Sequence, residues 1–425
     1  FSRSFVAAKS GTSFSDRRFT FGAELLVEND NQDSPVEFAL GDSEKAILRA
    51  AGNDRLKAAR PGVEFVGAGK GQYLRKDTVV SAPSGVDTSI VLYRFAPGDS
   101  LDAVFSITFS YVGPGNGDYA IIALGRFQFA GLRRGSYSPI RFLPMPAAHR
   151  FTDIDAGARV TDELSVGGEY AVSNFDANRF STIGDQDNTG PAASFNLRFS
   201  SGGVRVGGRD LGALDMNFKE RYVDRRFVSP DRVNEIEFNR KWNIADSTKQ
   251  DEELREGSLL YRPAPAISLA AGLGWMKRGE PFLSKRVTAS ANLGGEAQTK
   301  ANYDFEVIRS QDASLDDRAT WFRHRAGAEY PIGMFTPGIA YNGENLRSTG
   351  LSSGTVRQTS FRFNEIVPRL RIDSIGRMFL RAEAAWRCED ALSSGSLKPA
   401  STSLTQRYRW ELQEWRDLSS SLDMT

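Results

Sequence analysis

KRVTASANLGGEAQTKANYDFEV, residues Lys285–Val307, is the stretch of the chain that decides the fold. Apolar and polar side chains alternate on either side of the Gly294-Gly295 pair, and successive side chains of a strand point to opposite faces. A glycine pair suits a tight hairpin turn because glycine adopts positive φ angles without strain. Each arm approaches the roughly 9–11 residues of a tilted membrane-crossing strand and exceeds the roughly 5–6 usual in soluble sheets. The stretch therefore predicts a hairpin of membrane-spanning length.

The same alternation recurs through residues 150–425, for example in Ile267–Trp275 and Met378–Trp386. We count roughly 14–16 such segments, which is within the range of bacterial barrels. Short turns are interleaved with long polar loops, as expected of the two ends of an outer-membrane barrel. The sequence predicts an all-β chain in which residues 150–425 form an antiparallel transmembrane β-barrel, complete or part of a larger one.

The composition excludes several classes of protein. Lys and Arg number 54 against 53 Asp and Glu, a net charge of +1 that argues against a nucleic-acid binder. One Cys and two His leave no Cys-based zinc site, and no cofactor is predicted. The mean hydropathy is −0.39. No run approaches the roughly 18 apolar residues of a membrane helix, so any membrane-spanning part must be a closed barrel.

Residues 1–146 are predicted to form a separate β-rich domain with a short helical insert near residues 42–60. Three segments in it share the pattern G-x-x-x-G-x-Y: Gly67–Tyr73, Gly113–Tyr119 and Gly131–Tyr137. The first, GAGKGQY, lacks the spacing and the Ser or Thr of a phosphate-binding loop. We therefore interpret these segments as turns between strands.

The alternation also assigns side chains to the two faces of the predicted barrel. Residues predicted to face the lumen are Arg159, Glu169, Arg198, Lys300, Asp304, Glu306, Arg323, Arg325, Arg381, Glu383, Arg409 and Glu411. Residues predicted to face lipid are Val287, Ala289, Leu293, Tyr303, Phe305, Leu380, Trp386 and Trp410. The lumen set mixes charges of both signs, as porin interiors and plugged barrels do, so it predicts no ion selectivity.

Two loops contain residues that could bind a ligand. Asp185 and Asp187 in GDQDNTG are spaced like the start of a calcium loop, but Thr189 replaces the third ligand and no glutamate follows at the twelfth position. An acidic solvated turn is the favoured interpretation. The arginine-rich loop Lys219–Arg240 could bind lipopolysaccharide phosphates. Its acidic residues nearly balance the arginines, so a loop held by internal salt bridges is favoured.

No catalytic residue is predicted. A hydrolase that uses histidine needs the ring within hydrogen-bonding reach of its partner. His324 is in phase with Phe322 and Ala326 and is expected on the apolar face, and His149 has no recognisable catalytic context. An outer-membrane hydrolase remains a minor alternative.

The long alternating hairpins Lys285–Val307 and Met378–Trp415 resemble those of outer-membrane β-barrel proteins of diderm bacteria. The block Arg221–Ile244 and the GPGNGDY motif resemble large envelope barrels of Bacteroidota-related lineages, a group that includes the type IX secretion translocon. The chain departs from the usual barrel in its final residues, SSSLDMT, which lack a terminal aromatic residue. Together with the start at Phe1, this ending leads us to expect part of a longer polypeptide.

The predicted function is that of an outer-membrane pore, translocation channel or envelope scaffold. The expected partners are outer-membrane lipid, lipopolysaccharide and other envelope proteins, and no nucleic acid. The alternative is a soluble or surface-exposed all-β binding protein such as an adhesin, whose polar face would contact bulk water.

Overall fold

The computed structural model describes residues 1–35, 40–81, 87–96, 101–245, 248–295, 299–375, 378–415 and 418–424. The first strands are β1 (Arg3–Phe14), β2 (Phe19–Asp30), β3 (Ala59–Pro61), β4 (Val63–Phe65), β5 (Tyr73–Ser81), β6 (Asp87–Phe95), β7 (Phe105–Ile107), β8 (Ser110–Tyr111), β9 (Tyr119–Ala123), β10 (Arg126–Phe129), β11 (Tyr137–Ser138) and β12 (Ile140–Phe142). The later strands are β13 (Ala148–Arg159), β14 (Leu164–Asp176), β15 (Thr189–Ser201), β16 (Arg205–Val206), β17 (Arg209–Asp210), β18 (Ala213–Val223), β19 (Glu252–Ala264), β20 (Ile267–Arg278), β21 (Phe282–Leu293), β22 (Lys300–Asp312), β23 (Asp317–Glu329), β24 (Phe335–Gly350), β25 (Phe361–Ile375), β26 (Met378–Ser393), β27 (Ser396–Trp415) and β28 (Leu418–Met424). Two helices, α1 (Asp42–Ala51) and α2 (Phe238–Trp242), and a 3₁₀ turn at Asp185–Asp187 complete the described elements. None of the described helices has both the length and the apolar character needed to span a membrane.

The chain divides into two compact units. The small unit comprises Phe1–Ala8, Leu25–Phe151 and Ser173–Thr189, and the large unit comprises Lys9–Glu24, Thr152–Val172 and Gly190–Thr425. One 16-stranded sheet has the order β1-β2-β13-β14-β15-β18-β19-β20-β21-β22-β23-β24-β25-β26-β27-β28. Neighbours in this order follow one another along the chain apart from two insertions, as in an up-and-down meander. The predicted all-β fold with roughly 14–16 antiparallel strands is confirmed.

The hairpin at Lys285–Val307 forms as predicted and is longer than expected. β21 starts at Phe282, and β22 continues to Asp312. Val287 pairs with Val307 and Thr288 pairs with Glu306, so like residues share a face across the two strands. Residues 296–298, which follow the predicted Gly294-Gly295 turn, lie outside the described residues.

The boundary predicted at residue 146 differs from the structure at the N-terminus. β1 and β2 belong to the 16-stranded sheet, so residues 1–146 are not a single domain ahead of it. The chain leaves the sheet after β2 and returns to it at β13. The first two strands have 12 residues each, close to the 12 and 13 residues of the later hairpin strands β21 and β22.

The small unit contains two four-stranded sheets, β4-β7-β5-β6 and β10-β9-β11-β8, and the pair β12-β3. Helix α1 lies within the predicted helical insert but ends at Ala51. Its buried residues Leu48 and Ala51 pack with Leu40, Ala58 and Leu143.

The G-x-x-x-G-x-Y segments have a structural role in this unit. The first glycine of each copy has a positive φ: Gly67 (86°), Gly113 (94°) and Gly131 (112°). The second glycine of each lies against backbone, so an added Cβ would come 2.2 Å from Ala103 O at Gly71, 2.3 Å from Tyr137 O at Gly117 and 2.2 Å from Tyr119 O at Gly135. Tyr73 and Tyr119 are buried on either side of Phe109, and burial raises the pKa of both phenols. These contacts agree with the predicted turns.

The 16-stranded sheet has two unlike ends. The turn end has the connections 160–163, 265–266, 294–299 and 330–334. The loop end has the long connections 177–188, 224–251 and 351–360, and also the short connections 279–281, 313–316 and 394–395. The predicted loop Lys219–Arg240 is corrected at its start, because β18 runs over Ala213–Val223 and so includes Lys219. At the turn end, residues 202–212 contain the β16–β17 hairpin.

Candidate functional site: the polar face of the large sheet

Cross-strand register places polar side chains on one face of the large sheet, which we call the polar face. One row of paired residues crosses eight strands from β15 to β24: Arg198, Asn217, Ser258, Gly272, Thr288, Glu306, Arg323 and Glu344. The register puts most of the predicted lumen set on this face: Arg198, Lys300, Asp304, Glu306, Arg323, Arg325, Arg381, Glu383, Arg409 and Glu411. Glu169 joins it through Ser194, whose hydroxyl donates to Glu169 Oε2 at 3.4 Å. Arg159 is an even number of residues from Asp153 on β13, so the two side chains share a face of that strand. Asp153 lies beside Glu169 and therefore places both on the polar face.

The opposite face is apolar and exposed, and we call it the apolar face. The predicted lipid-facing residues Val287, Ala289, Leu293, Tyr303, Phe305, Leu380, Trp386 and Trp410 all lie on it by register. Leu273 is 67% exposed and Trp386 is 54% exposed. Soluble monomers seldom expose contiguous apolar patches beyond roughly 300–600 Å². The register separates apolar from polar side chains on these strands.

A charged network crosses the middle of the polar face. Glu306 on β22 accepts from Arg286 Nε at 2.5 Å and lies 2.7 Å from an Arg323 terminal nitrogen. The Arg323 guanidinium stacks 4.5 Å from the ring of Trp321, whose indole N–H donates to Glu344 at 2.8 Å. These side chains come from four consecutive strands, β21 to β24, so the network ties the strands together across the face.

The connection between β18 and β19 folds over the polar face. We call residues 224–251 the inner loop; its described parts are 224–245 and 248–251. Within it, α2 buries Phe238 and Trp242 against Leu254, Met276 and Phe282 of the sheet. Trp242 is fully buried, and it lies so close to Gly274 that an added Cβ there would be 2.5 Å from the indole.

Polar contacts hold the inner loop on several strands. Asn243 Nδ2 donates to Ser310 Oγ of β22 at 2.8 Å, and Lys241 Nζ lies 2.8 Å from Glu256 Oε1 of β19. Arg240 reaches Glu344 of β24 at 4.0 Å. At the start of the loop, Arg221 of β18 donates to Asn234 Oδ1 at 2.6 Å. The loop therefore contacts the polar face from β18 to β24.

The inner loop also has internal ion pairs, as predicted for Lys219–Arg240. Arg226 lies 2.9 Å from Asp224, and Lys241 lies 2.6 Å from Glu235. The hydrogen bond and charge of Arg226 hold the pKa of Asp224 below its ordinary value. Lys241 lowers the pKa of Glu235 in the same way. Both carboxylates are thus ionised at neutral pH, and the loop keeps its pairs there.

Sequence reasoning did not predict this fold of the loop. A signal was present: Phe238 and Trp242 are four residues apart, the spacing of one helix face. Near the loop end, three positions that belong to the polar face by register are occupied by apolar residues: Leu254, Met276 and Ile308. They provide a local apolar surface on that face. These residues contact the inner loop or neighbouring apolar side chains.

A cleft of about 610 Å³ lies on the sheet, and its lining includes polar-face residues from Asn217 on β18 to Arg325 on β23. The cleft extends over six successive strands, β18 to β23. The charged network of Arg286, Glu306 and Arg323 forms part of the lining. The arrangement offers a wet, charged surface of both signs beside the inner loop.

The other candidate residues lie elsewhere. Asp185 and Asp187 are exposed in the 3₁₀ turn, where Asp185 accepts from Asn188 Nδ2 at 3.0 Å. Within the part of the chain that the structure describes, no group of three or more His, Cys, Asp or Glu is placed to hold a metal ion. His324 lies on the apolar face beside Phe322 and Tyr341, as predicted. His149 is buried and packs 5.7 Å from Phe175 in the small unit.

No protein-family model and no curated protein matches the chain. Among solved structures, the FrpB iron transporter from Neisseria meningitidis is 10% identical over 97% of this chain and 65% of its own, with a TM-score of 0.41. OmpT, an outer membrane protein of Vibrio cholerae, is 8% identical over 63% of this chain and 90% of its own, with a TM-score of 0.27. The ferric-catecholate import receptor Fiu from E. coli K12 is 8% identical over 99% of this chain and 76% of its own, with a TM-score of 0.24. Similarity at this level says nothing about function.

Proposed function

We propose that the large sheet closes into a β-barrel of a bacterial outer membrane and acts as a pore for small polar solutes. The observation that carries the proposal is the division of the sheet into an exposed apolar face and a charged polar face. A barrel places these faces toward lipid and toward a lumen. The inner loop then lies inside the lumen and narrows it.

The apolar face supports a membrane location on energetic grounds. A large aliphatic or aromatic side chain that stays in water forgoes about 1.5–3 kcal/mol of burial. Many such side chains are exposed here, including Leu273, Val287, Ile339, Trp386 and Leu404. Lipid would bury all of them without a second protein layer, and a closed barrel would pair the backbone groups of the sheet edges.

The number of strands favours a pore over a side-chain-filled barrel. Barrels of about 8 strands are filled by their own side chains, whereas those of about 16–18 strands leave an aqueous channel. The inner loop contacts strands β18 to β24, less than half of the 16 in the sheet. A loop on part of the wall would constrict a channel of this size rather than close it.

Planar-bilayer recording tests the pore. The full chain, refolded in detergent and inserted into a bilayer, should give stepwise currents, and it should migrate differently on gels before and after heating. Heat-modifiable, correctly inserted protein without current steps would contradict the pore and favour a scaffold. A chain that is monomeric and soluble in plain buffer would contradict the barrel and favour the adhesin alternative.

A further inference from the structure

Three arginines lie side by side on the polar face near the turn end of β25, β26 and β27. Arg371 pairs with Arg381, and Arg381 pairs with Arg409. Residues directly opposite in antiparallel strands have Cα atoms about 4.5–5.5 Å apart, and like charges at such positions destabilise a sheet. The sequence separates these residues by about ten and about thirty positions, so only the register shows the row.

The adjacent row on the same strands shows the usual solution to this problem. There Glu383 occupies the central strand, paired with Arg369 on one side and Arg407 on the other. Its carboxylate lies 3.4 Å from Arg407. In the row of Arg371, Arg381 and Arg409, the central carboxylate is replaced by a third guanidinium.

The outer two arginines have carboxylate partners, and among the described residues the central one has none. Arg371 lies 3.9 Å from Glu329, and Arg409 lies 2.6 Å from Glu411 and 3.8 Å from Asp423. Among the described residues, no carboxylate is within 4.0 Å of an Arg381 nitrogen. Arg381 is exposed and contributes to the lining of a cleft of about 270 Å³ together with Arg371, Phe379, Leu380, Arg409 and Glu411.

We propose that Arg381, flanked by Arg371 and Arg409, binds a small multivalent oxyanion in this cleft. A guanidinium presents a planar fork of N–H donors that matches phosphate and carboxylate oxygens, and the neighbouring guanidinium groups of Arg371 and Arg409 offer further N–H donors. Glu411 and Arg409 offset each other's charge at 2.6 Å, so Arg381 is the guanidinium that supplies the uncompensated charge of the cleft. The bound anion supplies the negative charge between arginines that Glu383 supplies in the adjacent row. If the large sheet is a pore, this site deepens that function by selecting phosphate- or carboxylate-bearing solutes, but binding itself does not require conduction.

Phosphorus-31 NMR on the refolded full chain in detergent, with inorganic phosphate as the probe, tests the site. Wild-type protein should broaden the phosphate line in a saturable way, and Arg381→Gln should weaken binding by at least about tenfold. Arg198→Gln is the matched control, since it removes the same charge from the polar face at β15. Its effect should stay within about twofold, as expected of a distant charge.

Competition with succinate distinguishes the two solute classes. Displacement of phosphate by succinate assigns the site to oxyanions in general, and failure to displace it restricts the site to phosphate. Absence of saturable binding to the wild type, or equal losses in Arg381→Gln and Arg198→Gln, would overturn the proposal.

If Arg381→Gln does not refold, Arg381→Lys replaces it. This variant keeps the charge and loses the fork, and it should weaken binding by about threefold or more. Unchanged affinity in Arg381→Lys would overturn the role of the guanidinium. Bilayer recording on the same protein separates the two proposals, because conduction without phosphate binding rejects the site alone and binding without conduction rejects the pore alone.

Discussion

At the scale of single residues, Trp242 is the anchor of the inner loop. It is fully buried, and among the described residues its indole N–H has no hydrogen-bond partner, so it is held mainly by packing. Trp242→Ala should destabilise the docked loop by about 3–5 kcal/mol, the usual cost of truncating a buried aromatic residue. Limited proteolysis should then cut within 224–251 much faster than in the wild type. Trp242→Phe is the control, since it keeps most of the volume and loses no hydrogen bond; equal cleavage of both variants would contradict the packing role.

Glu306 has a different task, because it separates two arginines. Its carboxylate contacts Arg286 and Arg323, and all three side chains are largely shielded from solvent. Glu306→Gln should cost about 1–3 kcal/mol of unfolding free energy, measured by denaturant titration, since the two guanidinium groups lose a charged acceptor.

The same variant should shift the reversal potential of a salt gradient toward anion selectivity. Asp304→Asn, one alternation away on the same face and paired with Arg325, removes an equal charge at an exposed position. This control should shift selectivity similarly with little change in stability. No selectivity change in either variant would show that the polar face does not line the conduction path.

At the scale of elements, the inner loop is the feature that departs most from a plain barrel wall. Asn243 on the loop and Ser310 on β22 are joined by a 2.8 Å hydrogen bond between side chains. Cysteines at both positions, in a Cys388→Ser background, should form a disulfide on mild oxidation, because the two side chains already meet. A shift in gel mobility that reductant reverses would report the bond.

The control pairs Asn243→Cys with Ser290→Cys, which lies on the polar face of the neighbouring strand β21, opposite Asp304 of β22. This pair should stay reduced. Equal cross-linking of both pairs would indicate a mobile loop, and no cross-linking of the first pair would place the loop off the sheet.

The elements also show what the sequence could and could not predict. Strand phase follows from local alternation, so the hairpin at Lys285–Val307 and the faces of its residues were predictable. The assignment of β1 and β2 to the 16-stranded sheet was not predictable, because the 117 residues at 31–147 separate them from their neighbour β13. The docking of Phe238 and Trp242 also depends on distant strands. An alternation pattern does not show which distant residues pair with each other. The row of Arg371, Arg381 and Arg409 could not be predicted for the same reason.

At the scale of the whole molecule, the unlike ends of the 16-stranded sheet imply an orientation. Outer-membrane barrels place short turns in the periplasm and long loops outside. The connection 351–360 belongs to the loop end, and the β16–β17 hairpin belongs to the turn end. Each contains an open site for an insertion, since an added Cβ at Gly354 or at Gly208 would meet nothing within 4 Å.

An epitope tag inserted after Gly354 should therefore bind antibody on intact cells of a diderm host. The same tag after Gly208 should bind only after the outer membrane is made permeable. Both insertions extend exposed turns, so neither should prevent folding, and heat-modifiable gel mobility checks that each variant forms the barrel. The inner loop starts and ends at the same end of the sheet as Gly354, so this result would mean that it enters the lumen from the outer surface. Labelling at Gly208 but not at Gly354 on intact cells would reverse the orientation, and labelling at both sites would contradict the membrane-spanning sheet.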